Sequence, residues 1–354
     1  MLEDNLLFWG AGTDLKKFIK EASLFQQIFD LDKIFVVDSD VKKWGTEILG
    51  VLIHSPKEIE GKRFKKIVIS SLGYYEEILD RVSNSNIEYS EIQNVIEYKQ
   101  QEIIEYQYNK VLSNKKEGRN IPTTFNKEKL VVYTAIIGDY DDLKPPHVID
   151  DGVEYVCFTD QKDIRSDIWN VEYLKSDFTS PKELVRKFKA LPHMFFEEYD
   201  SSIWIDASIE IKDSLAEMML TYQKTSDFLL FPHNERICIY DEAAVCVAKH
   251  ISEKESMINQ ISHYYNEGYP FNNGLYCGGV IVRNHNIPKV KKTMDDWFED
   301  ISKYSKRDQI SLPYVIEKNG LQIDLIDLNI NDNRFLRVSS HKYRYGPMSI
   351  NSTN

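Results

Sequence analysis

Only four cysteines occur in the 354 residues, Cys157, Cys238, Cys246 and Cys277, and they are scattered. No two form a C-x-x-C pair, so neither a zinc knuckle nor a dithiol redox motif is indicated, and free buried thiols in a reducing compartment are expected. No apolar run approaches the roughly 20 residues of a membrane-spanning helix. The first residues, Met1-Leu2-Glu3-Asp4-Asn5, are acidic where a secretory signal is basic, so a soluble cytoplasmic protein is expected. Positive charge is in deficit: 44 lysines and arginines stand against 56 acidic residues, a net charge of −12. That argues against a general binder of nucleic acid or anionic membrane, while leaving room for a local basic pocket around one phosphorylated small molecule. There is no H-E-x-x-H and no histidine-rich ligand set, which weighs against a metal-dependent hydrolase.

What is present is enough apolar material for large cores, 42% hydrophobic and 12% aromatic residues. The length suits two domains. The first, expected over residues 1–97, opens with an apolar strand, Leu6 to Trp9, then Gly10-Ala11-Gly12 and a helix from Leu15 to about Phe29. A second strand, Lys33 to Val37, ends on Asp38, and a third apolar run, Lys66 to Ser71, precedes a helix from near Tyr74. Strands alternating with helices predict a Rossmann-like parallel sheet. Gly10, Gly12 and Asp38 stand where such a domain holds pyrophosphate and ribose, so NAD or another nucleotide is a candidate ligand. The fingerprint is incomplete, because Leu15 replaces the third glycine, and Asp38 serves equally well as a helix N-cap.

Residues 98–128 form a polar helical stretch and a charged, turn-rich linker, and the second domain is expected over 129–354. It starts with a strand, Leu130 to Ile137, broken by Gly138, and continues with a second, Glu154 to Asp160. A helix from Pro181 carries Lys182, Arg186, Lys187 and Lys189, with Lys182, Arg186 and Lys189 on one face. Further helices are expected from Cys238, from a capping box at Ser252-Glu253-Lys254-Glu255, from Pro288 through Trp297 and from Lys306 to about Asn319. Strands are expected at Phe228–Phe231, after the glycines Gly278 and Gly279, and at Ile323–Leu328.

Between these lies Tyr199-Asp200-Ser201-Ser202-Ile203-Trp204-Ile205-Asp206-Ala207-Ser208-Ile209-Glu210. Ile203 and Ile205 predict the buried face of a short strand, with Asp206, Ser208 and Glu210 alternating on the other face. Oxygen groups at the end of a buried strand suit a hard cation and a phosphate-bearing ligand, and an aspartate there also suits a simple turn cap. Two strands ending in polar groups, a basic helix and an acidic strand end give the order of a crevice at the carboxyl ends of a parallel sheet.

Seven motifs then occur in one order. They are Tyr133-Thr134-Ala135-Ile136-x-Gly138-x-Tyr140-Asp141, Cys157-Phe158-Thr159-Asp160, Lys189-x-Leu191-Pro192-His193 and the stretch from Tyr199 to Ser208. After them come His233-x-x-Arg236-x-Cys238-Ile239-Tyr240-x-Glu242-Ala243, Gly278-Gly279-Val280-Ile281-x-Arg283-x-His285 and Arg307-Asp308-Gln309. This set, from about Leu130 to His341, resembles a glycosyltransferase-like family that includes plant mucilage-related hexosyltransferases and bacterial polysaccharide-cluster proteins. The N-terminal part resembles the small Rossmann-like domains attached to bacterial polysaccharide-biosynthesis enzymes. The resemblance implies an α/β chain: the N-terminal Rossmann-like parallel sheet domain followed by a GT-A-like α/β/α nucleotide-sugar domain.

The implied activity is metal-assisted transfer of a hexose from a nucleotide sugar, expected to be a UDP-sugar, to a surface-polysaccharide or glycan acceptor. Asp206-Ala207-Ser208 takes the place of the D-x-D of such enzymes, with Ser208 where the second aspartate is expected. Mn2+ or Mg2+ would then rest on Asp206, Ser208 and His341, with Glu210 as a further recruit. Thr134, Ala135, Gly138, Tyr140 and Asp160 would border the nucleotide, and Lys187 or Lys189 would meet the phosphates. His233, Arg236, Tyr240, Gly278 and Gly279 would serve the sugar or the acceptor side. Asp308 is the expected catalytic carboxylate, with Glu242 second and Gln309 beside it. The bland readings are a helix N-cap for Asp308 and a buried hydrogen-bond network for His233, Arg236 and Tyr240. A non-catalytic nucleotide-sugar-binding protein and a metal-dependent hydrolase stay open as alternatives, as does a homo-oligomer.

Overall fold

The computed structural model describes residues 5–24, 33–113, 129–138, 141–175, 180–305 and 307–339. Two compact units divide the chain, Met1–Tyr106 and Gln107–Asn354.

In the first unit, apolar runs too short for helices form the middle of a sheet. Its elements are β1 (Leu6–Trp9), α1 (Thr13–Leu24), β2 (Ile34–Val37), β3 (Glu47–Ile48), β4 (Val51–His54), β5 (Arg63–Ile69), α2 (Tyr75–Ser83), β6 (Glu88–Asn94) and α3 (Val95–Ser113), whose last residues belong to the second unit. The six strands lie in the order β3-β4-β2-β1-β5-β6, all parallel except the β3–β4 pair. Side chains alternate across β1: Phe8 packs with Phe18, Val36 and Tyr98 on one face, Leu7 and Trp9 with Ile67 and Ile78 on the other. β6 escapes a pattern reading because it is a largely polar edge strand whose residues are mostly exposed or half-buried.

The second unit is built on a seven-stranded sheet. Its elements are β7 (Leu130–Ile136), β8 (Glu154–Thr159), β9 (Asn170–Tyr173), α4 (Pro181–Ala190), β10 (Ser201–Ile205), β11 (Ile209–Ile211), α5 (Leu215–Tyr222), β12 (Phe228–Pro232), α6 (Ile239–Ala248), α7 (Lys254–Asn266), β13 (Tyr276–Arg283), α8 (Pro288–Lys303), α9 (Asp308–Lys318), β14 (Asp324–Leu325) and β15 (Leu336–Val338). The strand order is β14-β12-β13-β10-β7-β8-β9, with β11 and β15 paired separately. β13 runs against both neighbours and every other pair in this sheet is parallel. The α/β architecture is as expected.

Both faces of this sheet are covered, which is why β7 is buried at every position. Val131, Tyr133 and Trp204 enter the core that holds Trp297, Met294 and Tyr264. Leu130, Val132, Ile203 and Ile205 enter the opposite core with Met218, Met219 and Phe335. The four cysteines are all buried and free.

Several expectations change here. Ser201–Ile205 is buried on both faces, not one. The chain then turns, with Ile209 N donating to Asp206 O at 2.8 Å, so Asp206, Ser208 and Glu210 do not alternate along one extended strand. No capping box forms at Ser252: the N-cap of α7 is Glu253, without a side-chain cap bond, and the Ser252 hydroxyl donates to Ser305 O at 3.3 Å. α8 continues past Trp297 to Lys303, and the strand expected over Ile323–Leu328 is paired only at Asp324–Leu325. The end of the first helix, expected to about Phe29, and most of the charged linker fall in residues 25–32 and 114–128, which lie outside the described residues, as do Tyr140 and His341.

Candidate functional site

In the second unit, strand order reverses at the β7–β10 pair: β8 and β9 continue on one side, while the next strands after β10 lie on the other. Loops leaving the carboxyl ends of two such strands diverge and leave a crevice. A cleft of about 960 Å³ occupies that place. Ala135, Ile136 and Gly138 from the end of β7, and Asp206, Ala207 and Ser208 after β10, line it. α4 supplies the facing wall with Lys182, Arg186 and Lys189, and Arg307 and Asp308 close it from the start of α9.

Lys189 is the centre of the site. Its side chain is 8% exposed, and Nζ donates to Asp308 Oδ2 at 2.5 Å and lies 3.5 Å from Asp206 Oδ1. Burial alone would favour the neutral amine. The two carboxylates outweigh it and raise the lysine's pKa above its usual value. Burial likewise would push Asp308 up, and Lys189, with Arg307 and Arg186 farther off, instead holds it below the usual carboxylate range. Asp206 is further fixed by Trp204 Nε1, which donates to Oδ1 at 2.6 Å, and by its own N–H, which donates to Gly279 O at 2.8 Å.

The backbone that carries Lys189 is also held. Arg283, fully buried on β13, donates to Lys189 O at 2.5 Å and to the Tyr133 hydroxyl, and Tyr133 donates to Phe188 O at 3.1 Å. Carbonyls at the last turn of a helix have no intrahelical partner, and these two residues satisfy them at the end of α4. Gly278 and Gly279 do not line the cleft but lie against the charged centre. A Cβ at Gly278 would lie 3.1 Å from Lys189 Nζ, and one at Gly279 would lie 3.4 Å from Asp206 Oδ2.

Lys182 and Arg186, one turn apart, face the cleft, and among the described residues neither has a hydrogen-bond or ion-pair partner. In a chain with net charge −12, cations left over on one wall favour an anionic ligand. Lys187, on the same helix, does not line the cleft.

Asp160 accepts from Gly138 N at 2.8 Å and so shapes the turn after β7, where Gly138 has φ +75°. Thr134 is buried beneath the cleft wall, and its hydroxyl has no partner among the described residues. Glu242 does not line the cleft. It is buried behind it, accepting from Arg236 Nε at 2.5 Å and facing Arg307 Nη2 at 3.6 Å, while Gln309 Oε1 lies 3.4 Å from the same Arg307 nitrogen. Burial raises the pKa of Glu242, but Arg236 and His233 bring it below the usual value. His233 Nδ1 accepts from Glu235 N and Arg236 N at 3.1 Å each. Burial pushes its pKa down to about 4, so the ring is neutral. Tyr240 donates to Tyr269 O at 2.7 Å. His233, Arg236 and Tyr240 are thus each engaged in hydrogen bonds outside the cleft lining. Glu210 faces His147 at 2.8 Å and not Asp206.

A divalent cation at this edge needs several oxygen ligands. Asp206 offers one carboxylate whose Oδ1 is already engaged by Trp204 and Lys189, and Ser208 offers a neutral hydroxyl. Among the described residues, no group of three or more His, Cys, Asp or Glu side chains is placed to hold a metal. The described donor set therefore does not fit Mn2+ or Mg2+.

In the first unit, Asp38 and the glycine turn do meet. Asp38 Oδ2 accepts from Ala11 N at 2.6 Å and from Lys43 Nζ at 2.8 Å. Burial raises the Asp38 pKa, and Lys43 with the main-chain donors outweighs it and lowers it. The Ala11 N–H that would face a pyrophosphate is thus taken by Asp38, and Gly10 is backed against Ser71, whose Cβ would be 2.7 Å from an added Cβ. These residues do not fit a dinucleotide as they stand.

Two of the site's supports leave little trace in the sequence. Arg283 is legible only as a motif letter, because nothing local marks a buried arginine. Arg186 reads as a cation on the right face, but nothing singles it out, because its neighbours Lys187 and Lys189 carry the same charge.

Residues 2–93 match the model described as C2185-like, N-terminal. A protein of Arabidopsis thaliana named "Probable hexosyltransferase MUCI70" is 25% identical over 217 residues, 53% of this chain and 37% of the relative. The chain thus spans little more than a third of that relative's length. Residues 112–333, well over half of the chain and the whole of the cleft described above, match the model of the TOD1/MUCI70 glycosyltransferase-like domain, and this chain belongs to that family.

Proposed function

We propose that the chain transfers a hexosyl group from a nucleoside diphosphate sugar, expected to be a UDP-sugar, to a hydroxyl of a surface-polysaccharide or glycan acceptor. In that reaction the acceptor oxygen bonds to the anomeric carbon, the bond from that carbon to the diphosphate breaks, and the acceptor hydroxyl gives up its proton. The nucleoside diphosphate departs with the electron pair. A GT-A-like reading suits a mixed sheet with an acidic turn at the carboxyl end of its switch-point strand.

The observation that carries the proposal is the pair Lys182 and Arg186, cations of the cleft lining without a hydrogen-bond or ion-pair partner among the described residues, in a cleft that Asp206 and Asp308 also line. Such cations suit the phosphates, and carboxylates suit the hydroxyls of the transferred sugar. Charge developing on the departing diphosphate is stabilised by preorganised positive groups in a partly enclosed site.

A second reading is nucleotide-sugar binding without transfer. It is favoured by the salt bridge to Lys189, which keeps Asp308 ionised and makes it a weak base. Both readings predict calorimetric binding of UDP-hexoses to the full chain. Release of UDP with transfer to an oligosaccharide panel selects the first, and tight binding with no turnover selects the second. Lack of binding to UDP-, GDP- and dTDP-sugars alike would overturn both.

A further inference from the structure

We propose that this site works without a divalent metal ion, and that the cation facing the donor diphosphate is the Lys189 ammonium, assisted by Arg186 and Arg307. The inference rests on the nucleotide-sugar reading above and deepens it.

Lys189 stands where a metal would have to stand. Its nitrogen bridges Asp308 Oδ2 at 2.5 Å and Asp206 Oδ1 at 3.5 Å. A dication bound to Asp206 at the usual roughly 2.0–2.6 Å would sit close to this buried ammonium and be repelled by it. The same oxygen that faces Lys189 is already engaged on another side: Trp204 Nε1 donates to Asp206 Oδ1 at 2.6 Å.

The lysine is not free to swing away. The main chain at Lys189 is clamped by Arg283 and Tyr133, and the side chain crosses beside the Trp204 ring with Nζ 6.0 Å from its centroid. Moving the ammonium out would leave two carboxylates uncompensated at once, which is costly in a partly buried setting. Serine in place of a second aspartate at position 208 is then no defect, because a neutral residue suffices beside a lysine.

The remaining positive charge is directed at the same space. Arg186 lines the cleft with no hydrogen-bond or ion-pair partner among the described residues. Arg307 lines it too, with a buried Nε that lacks a hydrogen-bond partner among them, while its Nη2 faces Glu242. As the bond between the anomeric carbon and the diphosphate oxygen breaks, the oxygen's growing charge is met by N–H donors of these cations. No co-reactant is required, and the acceptor's proton passes to solvent.

The test is calorimetry of the full chain with UDP and UDP-glucose, once with excess EDTA and once with excess MnCl2. The affinities are expected to agree within about threefold, since the cation is already in place. Binding that needs Mn2+, or gains about tenfold from it, overturns the inference and leaves the proposed function standing. Binding in neither condition overturns both. The variant Arg186→Ala breaks no hydrogen bond or ion pair among the described residues and should fold, and it is expected to lose about tenfold or more in UDP affinity under EDTA, the worth of one charged hydrogen bond. An unchanged affinity overturns the inference. Lys189→Met frees Asp206 and Asp308, and is expected to lose EDTA-resistant UDP binding and to take up Mn2+, seen as loss of the free-ion signal in electron paramagnetic resonance. If the unaltered chain takes up Mn2+ with UDP as readily as this variant does, the lysine is not the cation.

Discussion

The guanidinium of Arg283 donates to the main-chain carbonyl of Lys189 at 2.5 Å, across 94 residues of sequence. Among the described residues Arg283 has no carboxylate partner: its guanidinium meets the Tyr133 hydroxyl, Lys189 O and, at 3.2 Å, Met294 Sδ. A buried charge spent on carbonyls at one helix end points to positioning. Arg283→Met is expected to remain folded at a cost of about 1–3 kcal/mol, the cost of unsatisfied buried acceptors. UDP affinity in the folded variant should fall about tenfold, because the Lys189 backbone loses its clamp. Denaturant unfolding and calorimetry measure the two effects separately. A folded variant with unchanged affinity would rule the positioning role out.

Gly278 should be sensitive in the opposite balance. Its added Cβ would press on Lys189 Nζ at 3.1 Å and approach Asp308 Oδ2 at 3.5 Å. The ammonium needs to shift by only a few tenths of an ångström and stays between its two carboxylates, so Gly278→Ala should alter stability by no more than about 1 kcal/mol. Nucleotide-sugar binding should fall, since the shifted ammonium no longer meets the ligand at its native position. A thermal melt and a titration on the same sample check the pair of effects, and equal loss in both would contradict this view.

Glu242 belongs to stability first. Glu242→Gln strips the charge that faces Arg236 and Arg307. The expected cost is about 2–3 kcal/mol, below the range for a fully buried pair because both arginines keep some access to water. The denaturant midpoint reports it. A variant as stable as the parent would show the network to be slack.

Acid should weaken the fold through two neutral histidines. Burial pushes His233 and His285 each down to about 4, against roughly 6.5 in the unfolded chain. Between those values the unfolded chain binds protons that the fold refuses. The stabilisation is complete above about pH 6.5 and is lost as the pH falls towards 4, by up to about 3 kcal/mol per histidine. His285, whose Nε2 meets Phe196 O at 2.8 Å, is the cleaner probe. His285→Gln keeps a donor there and should flatten the decline in stability from pH 7 to 5. An unaltered decline would assign it to other groups.

The parts of this site that lie within one element are legible in the sequence alone. Lys182, Arg186 and Lys189 share a helix face, and all three line the cleft, because the 3.6-residue period sets their direction. Apolar runs likewise mark β7, β8 and β12. What stays hidden depends on where distant segments meet. Alternation along Asp206, Ser208 and Glu210 fails because a turn after Asp206 interrupts the extended chain, and a two-residue step means nothing outside a strand. The pairing of Lys189 with Asp308 spans 119 residues, and only the fold puts Arg307 between Glu242 and the cleft, which places that glutamate behind the wall. β14 and β15 are two and three residues long, too short to carry a period.

The reversed direction of β13 has a consequence for how such a chain can diversify. Because it runs against β10 and β12, its starting end at Tyr276 lies beside the finishing end of β12 at Pro232. The segment from Glu267 to Leu275 that leads into it therefore opens on the same edge of the sheet as the turn after β10. Mutations and insertions there can change which molecules reach that edge while the strands behind keep their register. That edge can thereby vary in a stretch of the chain separate from the charged centre.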